Sequence, residues 1–257
     1  MASAAKLIEA LATEIGWSNP TVEAYALELR RMSWWPKTKR GRGASSITVS
    51  DAAKLLLSIL SDGPKSLATS ENDGLSKFDG TGFFLRYANL GFSKTGWNSA
   101  IYNALCAEMG LTENALFLDF LTAILTLFVE GKADQIIRNV EKPFVHKWDY
   151  TGPELTVSIG GPFPTGTIEF YFADAFAAKL LALDIDPVEI GGQQSFVFLH
   201  QFYAWHDAAA ERGEAVEHWG KLLLGVSEYT AKGLRFEKAF GGRELSACAR
   251  VLSGDAD

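Results

Sequence analysis

In the first 60 positions, apolar residues recur at the spacing of one helix face in three successive stretches. The first stretch ends at Gly16, a typical helix stop. The second has a proline in its first turn, where a missing N–H is tolerated, and its apolar face continues through Trp34. The third can be capped by Thr48 or Ser50, with Asp51 favourably placed in its first turn. The pattern therefore predicts three consecutive helices.

The middle of the chain changes from a polar stretch to an apolar one. Residues 63–96 are rich in Gly, Ser, Asp and Asn, a composition typical of turns and linkers. Residues 97–109 and 113–130 follow as two predicted helices, and the second is apolar on more than one face. We therefore expect that second helix at the centre of the fold. A shorter helix is predicted over residues 133–140.

Two runs in the second half of the chain favour β-structure. Leu155–Ile159 and Thr167–Phe172 are rich in β-branched and aromatic residues, and a connection containing Gly and Pro separates them. They predict an antiparallel hairpin. Phe144–Tyr150 would add the third strand that an isolated hairpin needs in water.

An aromatic series after the hairpin has helical spacing. Phe198, Phe202 and Trp205 would share one side of a helix, which predicts a core helix packed on the sheet. A ligand pocket lined by the same rings is the alternative. A last helix is predicted over residues 244–252.

Together these elements predict an α+β protein that is predominantly helical. Residues 1–62 would form a helical N-terminal module with a basic loop, and residues 63–96 a linker-like segment. Residues 97–257 would form a larger helical region that carries a small antiparallel β-hairpin or sheet.

Composition narrows the class of protein. The chain has 257 residues, of which 47% are hydrophobic, so it is long enough to bury a substantial core. Its longest apolar stretches, such as Phe117–Val129, fall short of the roughly 20 residues that span a bilayer, and no secretory signal is visible. Cys106 and Cys248 form no CxxC pair and fit a reducing cytoplasm. We therefore expect a cytoplasmic protein with no membrane partner.

The distribution of charge singles out one segment. The net charge is −7, yet residues 1–62 carry eight Lys or Arg against six Asp or Glu. No carboxylate occurs between Glu28 and Asp51. Six cations crowd into part of that interval, and they are the predicted nucleic-acid-binding residues: Arg30, Arg31, Lys37, Lys39, Arg40 and Arg42. We call residues 30–42 the basic segment.

A segment this basic repels itself, so its charges need a partner or full solvation. Phosphates of DNA or RNA would supply a partner, and contacts to phosphate alone give affinity without sequence preference. An acidic protein partner, a second copy, or a solvated turn neutralised by the acidic remainder of the chain are the alternatives. A standard helix-turn-helix does not fit, because about fifteen residues separate the flanking helices where that motif has three or four. Trp34 and Trp35 could stack on bases or belong to the core.

The basic segment and the helix after it carry a resemblance. The string Arg40-Gly41-Arg42-Gly43-Ala44, followed by Thr48-Val49-Ser50-Asp51-Ala52-Ala53-Lys54-Leu55-Leu56-Leu57, resembles the N-terminal region of uncharacterised proteins from alphaproteobacterial phages and prophages. In those proteins a Gly/Arg-rich loop precedes a helix of the Thr-x-x-Asp-Ala-Ala-x-Leu-Leu type. The resemblance covers the first quarter of the chain and implies a phage or mobile-element origin. It implies no activity and no particular binding residue.

No complete catalytic or cofactor motif occurs along the chain. On one continuous helix, His200, His206 and His218 would be too widely separated to hold a single metal. Neither a Gly-x-Ser-x-Gly elbow nor an activating context for either cysteine is present. The prediction is a non-catalytic nucleic-acid-binding or regulatory protein of phage or prophage type, without metal or cofactor. A protein-interaction module and an enzyme with a scattered active site are the alternatives.

Overall fold

The protein is a mixture of helices and one antiparallel sheet. The computed structural model describes residues 2–36, 46–61, 87–93, 99–139, 151–161, 165–200 and 236–254. Within them the helices are α1 (Ala4–Ile15), α2 (Asn19–Arg31), α3 (Val49–Leu60), α4 (Ser99–Glu108), α5 (Phe117–Val129), α6 (Ala133–Ile136), α7 (Asp174–Ala182), α8 (Pro187–Gly191) and α9 (Gly242–Ser253). The strands are β1 (Leu90–Phe92), β2 (Leu155–Gly161), β3 (Thr165–Phe170), β4 (Gln194–His200) and β5 (Phe236–Gly241). The α+β class is confirmed.

The five strands form one sheet in the order β1-β4-β3-β2-β5, and every neighbouring pair is antiparallel. The first predicted β-rich run lies within β2, and the second, Thr167–Phe172, overlaps β3 as far as Phe170; Val157 lies opposite Ile168. Strand β1 comes from the stretch predicted to be linker-like, and it pairs with β4. The sheet is therefore assembled from parts of the chain that are far apart in sequence.

Residues 194–200 correct the predicted core helix. They form strand β4, and Phe196 and Phe198 are both buried because alternate residues of a strand share one face. The helix prediction relied on Phe202 and Trp205, which lie outside the described residues. The helix predicted over residues 133–140 is also shorter, since it ends at Ile136 and the chain continues in an extended form. The strand predicted at 144–150 lies outside the described residues.

Seven rings pack between the apolar face of the sheet and the helices beside it, and we call them the aromatic core. They are Phe92, Tyr102, Phe117, Phe120, Phe170, Phe196 and Phe198. Gly166 of β3 makes room for one of them, because a Cβ at that position would lie 2.9 Å from the Phe117 ring. Such an approach is closer than packed side chains allow, so a Cβ here would force the Phe117 ring to shift.

The N-terminal helices pack on the rest of the fold. Helix α1 contacts α2 and α9, α2 contacts α3, and α3 contacts α5. Glu14 near the end of α1 forms ion pairs with Arg243 and Arg250 of α9. The described parts of the chain contain no helix with the length and apolar character needed to cross a membrane. The division into residues 1–62, 63–96 and 97–257 stays a prediction.

Candidate nucleic-acid interface

The structure describes only the beginning of the basic segment. Arg30 and Arg31 lie together in the last turn of α2. The other four predicted binding residues lie outside the described residues: Lys37, Lys39, Arg40 and Arg42. The described part of the candidate interface is therefore the end of α2, where the basic segment begins, together with α3, which follows the basic segment.

Helix α2 ends three residues earlier than the predicted limit at Trp34, and the chain then folds back on its last turn. Ser33 adopts a left-handed conformation with φ of 61°. The backbone N–H groups of Trp34 and Trp35 both donate to the carbonyl of Leu29, at 2.8 Å and 3.2 Å. This is the Schellman arrangement, in which a left-handed residue stops a helix and satisfies its last carbonyls. Here the left-handed residue is a serine, where glycine is usual.

Both flanks of the stretch outside the described residues are anchored in the core. Trp35 is only 2% exposed on one side, and Ile47 is only 5% exposed on the other. The N–H of Ile47 also donates to the carbonyl of Ala2 at 3.2 Å. Thr48 then caps α3, because its hydroxyl accepts from the N–H of Asp51 and its own N–H donates to the Asp51 carboxylate. Of the two caps predicted for α3, Ser50 or Thr48, the structure shows Thr48.

Arg31 has an ion-pair partner, but a weakly held one. Its guanidinium pairs with the carboxylate of Glu28, one turn earlier on α2. The Arg31 side chain is 74% exposed, so water screens the pair and it contributes little to stability. Both arginines also lie at the end of α2 where the helix dipole favours positive charge, which is a purely structural reason for their presence.

Arg30 differs from Arg31 in having a buried nitrogen without a partner. The Nε of Arg30 has no hydrogen-bond acceptor, and neither does the indole Nε1 of Trp35. Both atoms are buried, although the Arg30 residue as a whole is partly exposed. Buried donors are almost always paired in folded proteins, so these two call for an explanation.

Lys54 joins this region from α3, and sequence reasoning did not identify it. Its ammonium lies 5.8 Å from the centre of the Trp34 ring, within the range of a cation–π contact. The same ammonium is 3.8 Å from the Asp51 carboxylate. The sequence held a signal, because Lys54 is the one cation within the largely apolar helix α3. We call the four residues Arg30, Trp34, Trp35 and Lys54 the neck of the basic segment.

Elsewhere the described residues offer little chemistry. No group of three His, Cys, Asp or Glu among them could hold a metal ion. Cys106 and Cys248 are free thiols, both buried, and burial raises the pKa of each above its ordinary value. A buried thiol with a raised pKa is a poor nucleophile at neutral pH. His206 and His218 lie outside the described residues.

Comparison with protein-family models, with curated proteins and with solved structures found no match to this chain.

Proposed function

We propose that this protein binds nucleic acid without catalysing a reaction, and that the basic segment contacts backbone phosphates. One observation supports the proposal above the others: the neck combines two cations with two tryptophans where the basic segment begins. Trp34 is partly exposed beside Lys54, and the buried Nε of Arg30 has no carboxylate bound to it. A cationic surface with an accessible aromatic ring is the combination that single-stranded nucleic acids favour.

The proposed contact would be insensitive to base sequence. Arginine and lysine bind phosphate oxygens, which carry no sequence information, and a ring such as Trp34 can stack on any base. The fixed flanks at Trp35 and Ile47 would limit the conformational entropy lost when the stretch between them contacts a polyanion. The proposal also includes a helical N-terminal module, a small C-terminal sheet, a cytoplasmic location and a phage or prophage origin.

A salt titration of binding tests the proposal. Binding to random DNA, single-stranded and duplex, is measured at several salt concentrations for the parent chain and for a triple variant, Lys39→Glu with Arg40→Glu and Arg42→Glu. Each phosphate neutralised on duplex DNA contributes about −0.9 to the slope of log K against log salt. Losing three contacts should therefore make the duplex slope less steep by about 2.7 and weaken binding at every concentration.

A matched control separates local contacts from net charge. The variant Lys6→Glu, Lys132→Glu and Lys179→Glu changes the net charge by the same amount at positions outside the basic segment. Its salt slope should stay close to that of the parent. Equal losses in both triple variants would mean that only overall charge matters. A parent chain that binds neither DNA nor RNA at low salt would overturn the proposal and leave an acidic protein partner as the next hypothesis.

A further inference from the structure

The two buried donors of the neck carry a more specific inference about the proposed site. Arg30 Nε and Trp35 Nε1 are both buried and both lack an acceptor. Leaving such a donor unpaired costs the free energy of removing it from water, with nothing gained in return. A ligand that supplies an acceptor recovers that loss, so the neck is predisposed to bind one.

The fold brings the backbones of Arg30 and Trp35 together at the end of α2. The N–H of Trp35 donates to the carbonyl of Leu29, the residue just before Arg30, so the backbone at Trp35 lies against the last turn of α2. Ser33 makes this return possible through its left-handed conformation. The closeness of the two backbones therefore follows from the way α2 ends.

The chemistry of the donors defines the ligand. An indole N–H and a guanidinium N–H can only donate, so whatever pairs with them must be an acceptor. Arg30 carries a positive charge, so an anion is favoured over a neutral acceptor, while the charge of Lys54 is partly offset by Asp51. The Nε edge of a guanidinium matches two oxygens of a phosphate or carboxylate in a bidentate contact.

We propose that the neck binds one backbone phosphate of the nucleic acid, with Arg30 Nε–H and Trp35 Nε1–H as donors. This inference rests on the proposed function. Both nitrogens are covered in the present conformation, so the phosphate can reach them only after a local shift of side chains, and Arg30 is partly exposed and able to make one. The neck would thus add directed hydrogen bonds to the diffuse attraction of the basic segment.

Removing one donor without changing the charge tests whether the neck binds a phosphate. Trp35→Phe deletes the indole N–H, and we expect the affinity for DNA to fall about tenfold, the loss of one charge-assisted hydrogen bond. The slope of log K against log salt should not change, because no charge has been removed. A circular dichroism spectrum and a thermal melt establish that the variant is folded.

Two further variants keep the result interpretable. Arg30→Lys retains the positive charge and loses the Nε donor, so it should also weaken binding at an unchanged salt slope, even if Trp35→Phe fails to fold. Trp17→Phe removes an indole N–H at a residue that is 38% exposed and stacked on Tyr25, and it should leave the affinity unaltered. An effect of Trp17→Phe as large as that of Trp35→Phe would overturn the inference.

Inorganic phosphate distinguishes a free anion from a nucleic-acid phosphate. If the neck is specific for a phosphate held in a polymer, millimolar phosphate should compete only weakly with DNA. Unchanged DNA affinity in both Trp35→Phe and Arg30→Lys would refute phosphate binding at the neck while leaving the proposed function intact. Strong stabilisation of the parent chain by inorganic phosphate, without any DNA binding, would refute the nucleic-acid source and the proposed function with it.

Discussion

The aromatic core and the neck both hold buried rings with an unpaired polar atom, and they differ in what surrounds it. Tyr102 in the aromatic core stacks on Phe92 and Phe120, and its hydroxyl makes no well-formed hydrogen bond. Burial raises the pKa of Tyr102, and the Cys106 thiol one turn away raises it further. At the neck, the unpaired atoms can only donate, one of them belongs to the cationic Arg30, and Lys54 lies over the neighbouring Trp34 ring.

Under the proposed function, that difference separates a by-product of packing from atoms that would bind a ligand. A tyrosine hydroxyl can donate or accept, and in the aromatic core it lies among apolar rings that no anion would enter. Arg30 is partly exposed, so the neck extends from the interior to the surface. We therefore attribute the unpaired atom of the aromatic core to packing and propose a ligand-binding role for those of the neck.

The largest expected effect probes how tightly the aromatic core is packed. Gly166→Ala places a Cβ 2.9 Å from the Phe117 ring, and we expect a loss of about 1–3 kcal/mol in the free energy of unfolding, measured by urea denaturation. Gly192→Ala is the matched control, because a Cβ there meets nothing within 4 Å. Equal midpoints for the two variants would show that the aromatic core can yield, and DNA affinity should be unchanged in both.

A smaller effect is expected when the unpaired hydroxyl of Tyr102 is removed, and it can be compared directly with removal of the Trp35 indole N–H. Tyr102→Phe removes the buried hydroxyl and keeps the ring, so the free energy of unfolding should stay the same or rise by up to about 1 kcal/mol. DNA affinity should not change, in contrast to the expected result for Trp35→Phe. A marked destabilisation by Tyr102→Phe would mean that the contact with Cys106 is a strong hydrogen bond. The Tyr102 hydroxyl would then not be an unpaired atom, and the comparison with the neck would fail.

The smallest effect concerns strain at the end of α2. Ser33→Gly relieves a left-handed conformation that costs about 1–2 kcal/mol for a residue with a Cβ, and glycine's greater freedom in the unfolded chain offsets part of the gain. We expect a net stabilisation of about 0.5 kcal/mol in thermal or urea unfolding. Ser33→Ala keeps the Cβ and should bring no gain. A stabilisation of equal size by Ser33→Ala would contradict the strain argument.

Local signals were enough for several parts of the fold. The stop of α1 at Gly16 and the capping of α3 by Thr48 were both predictable, because they depend on neighbouring residues alone. Strand β4 was mistaken for a helix because Phe198 was grouped with residues beyond it, although Phe196 and Phe198 already show the two-residue period of a strand. Strand β1 could not be foreseen, since three residues form it only by pairing with β4.

Some features of the candidate site could also be predicted from the sequence, and others depend on the fold. The basic segment is visible in the sequence because charge is a property of composition. The position of Lys54 beside Trp34 depends on how α2 and α3 pack, and the unpaired state of Arg30 Nε and Trp35 Nε1 depends on the absence of an acceptor in three dimensions. Neither property can be read from residue spacing.

The packing of α1 against α9 has a consequence for the order in which the protein matures. Leu7 and Leu11 of α1 are completely buried, and α9, which α1 contacts, is formed by residues 242–253. While the ribosome is still adding the middle of the chain, that contact cannot form. Helix α1 therefore waits until residues 242–253 have been synthesised before its apolar side is fully covered.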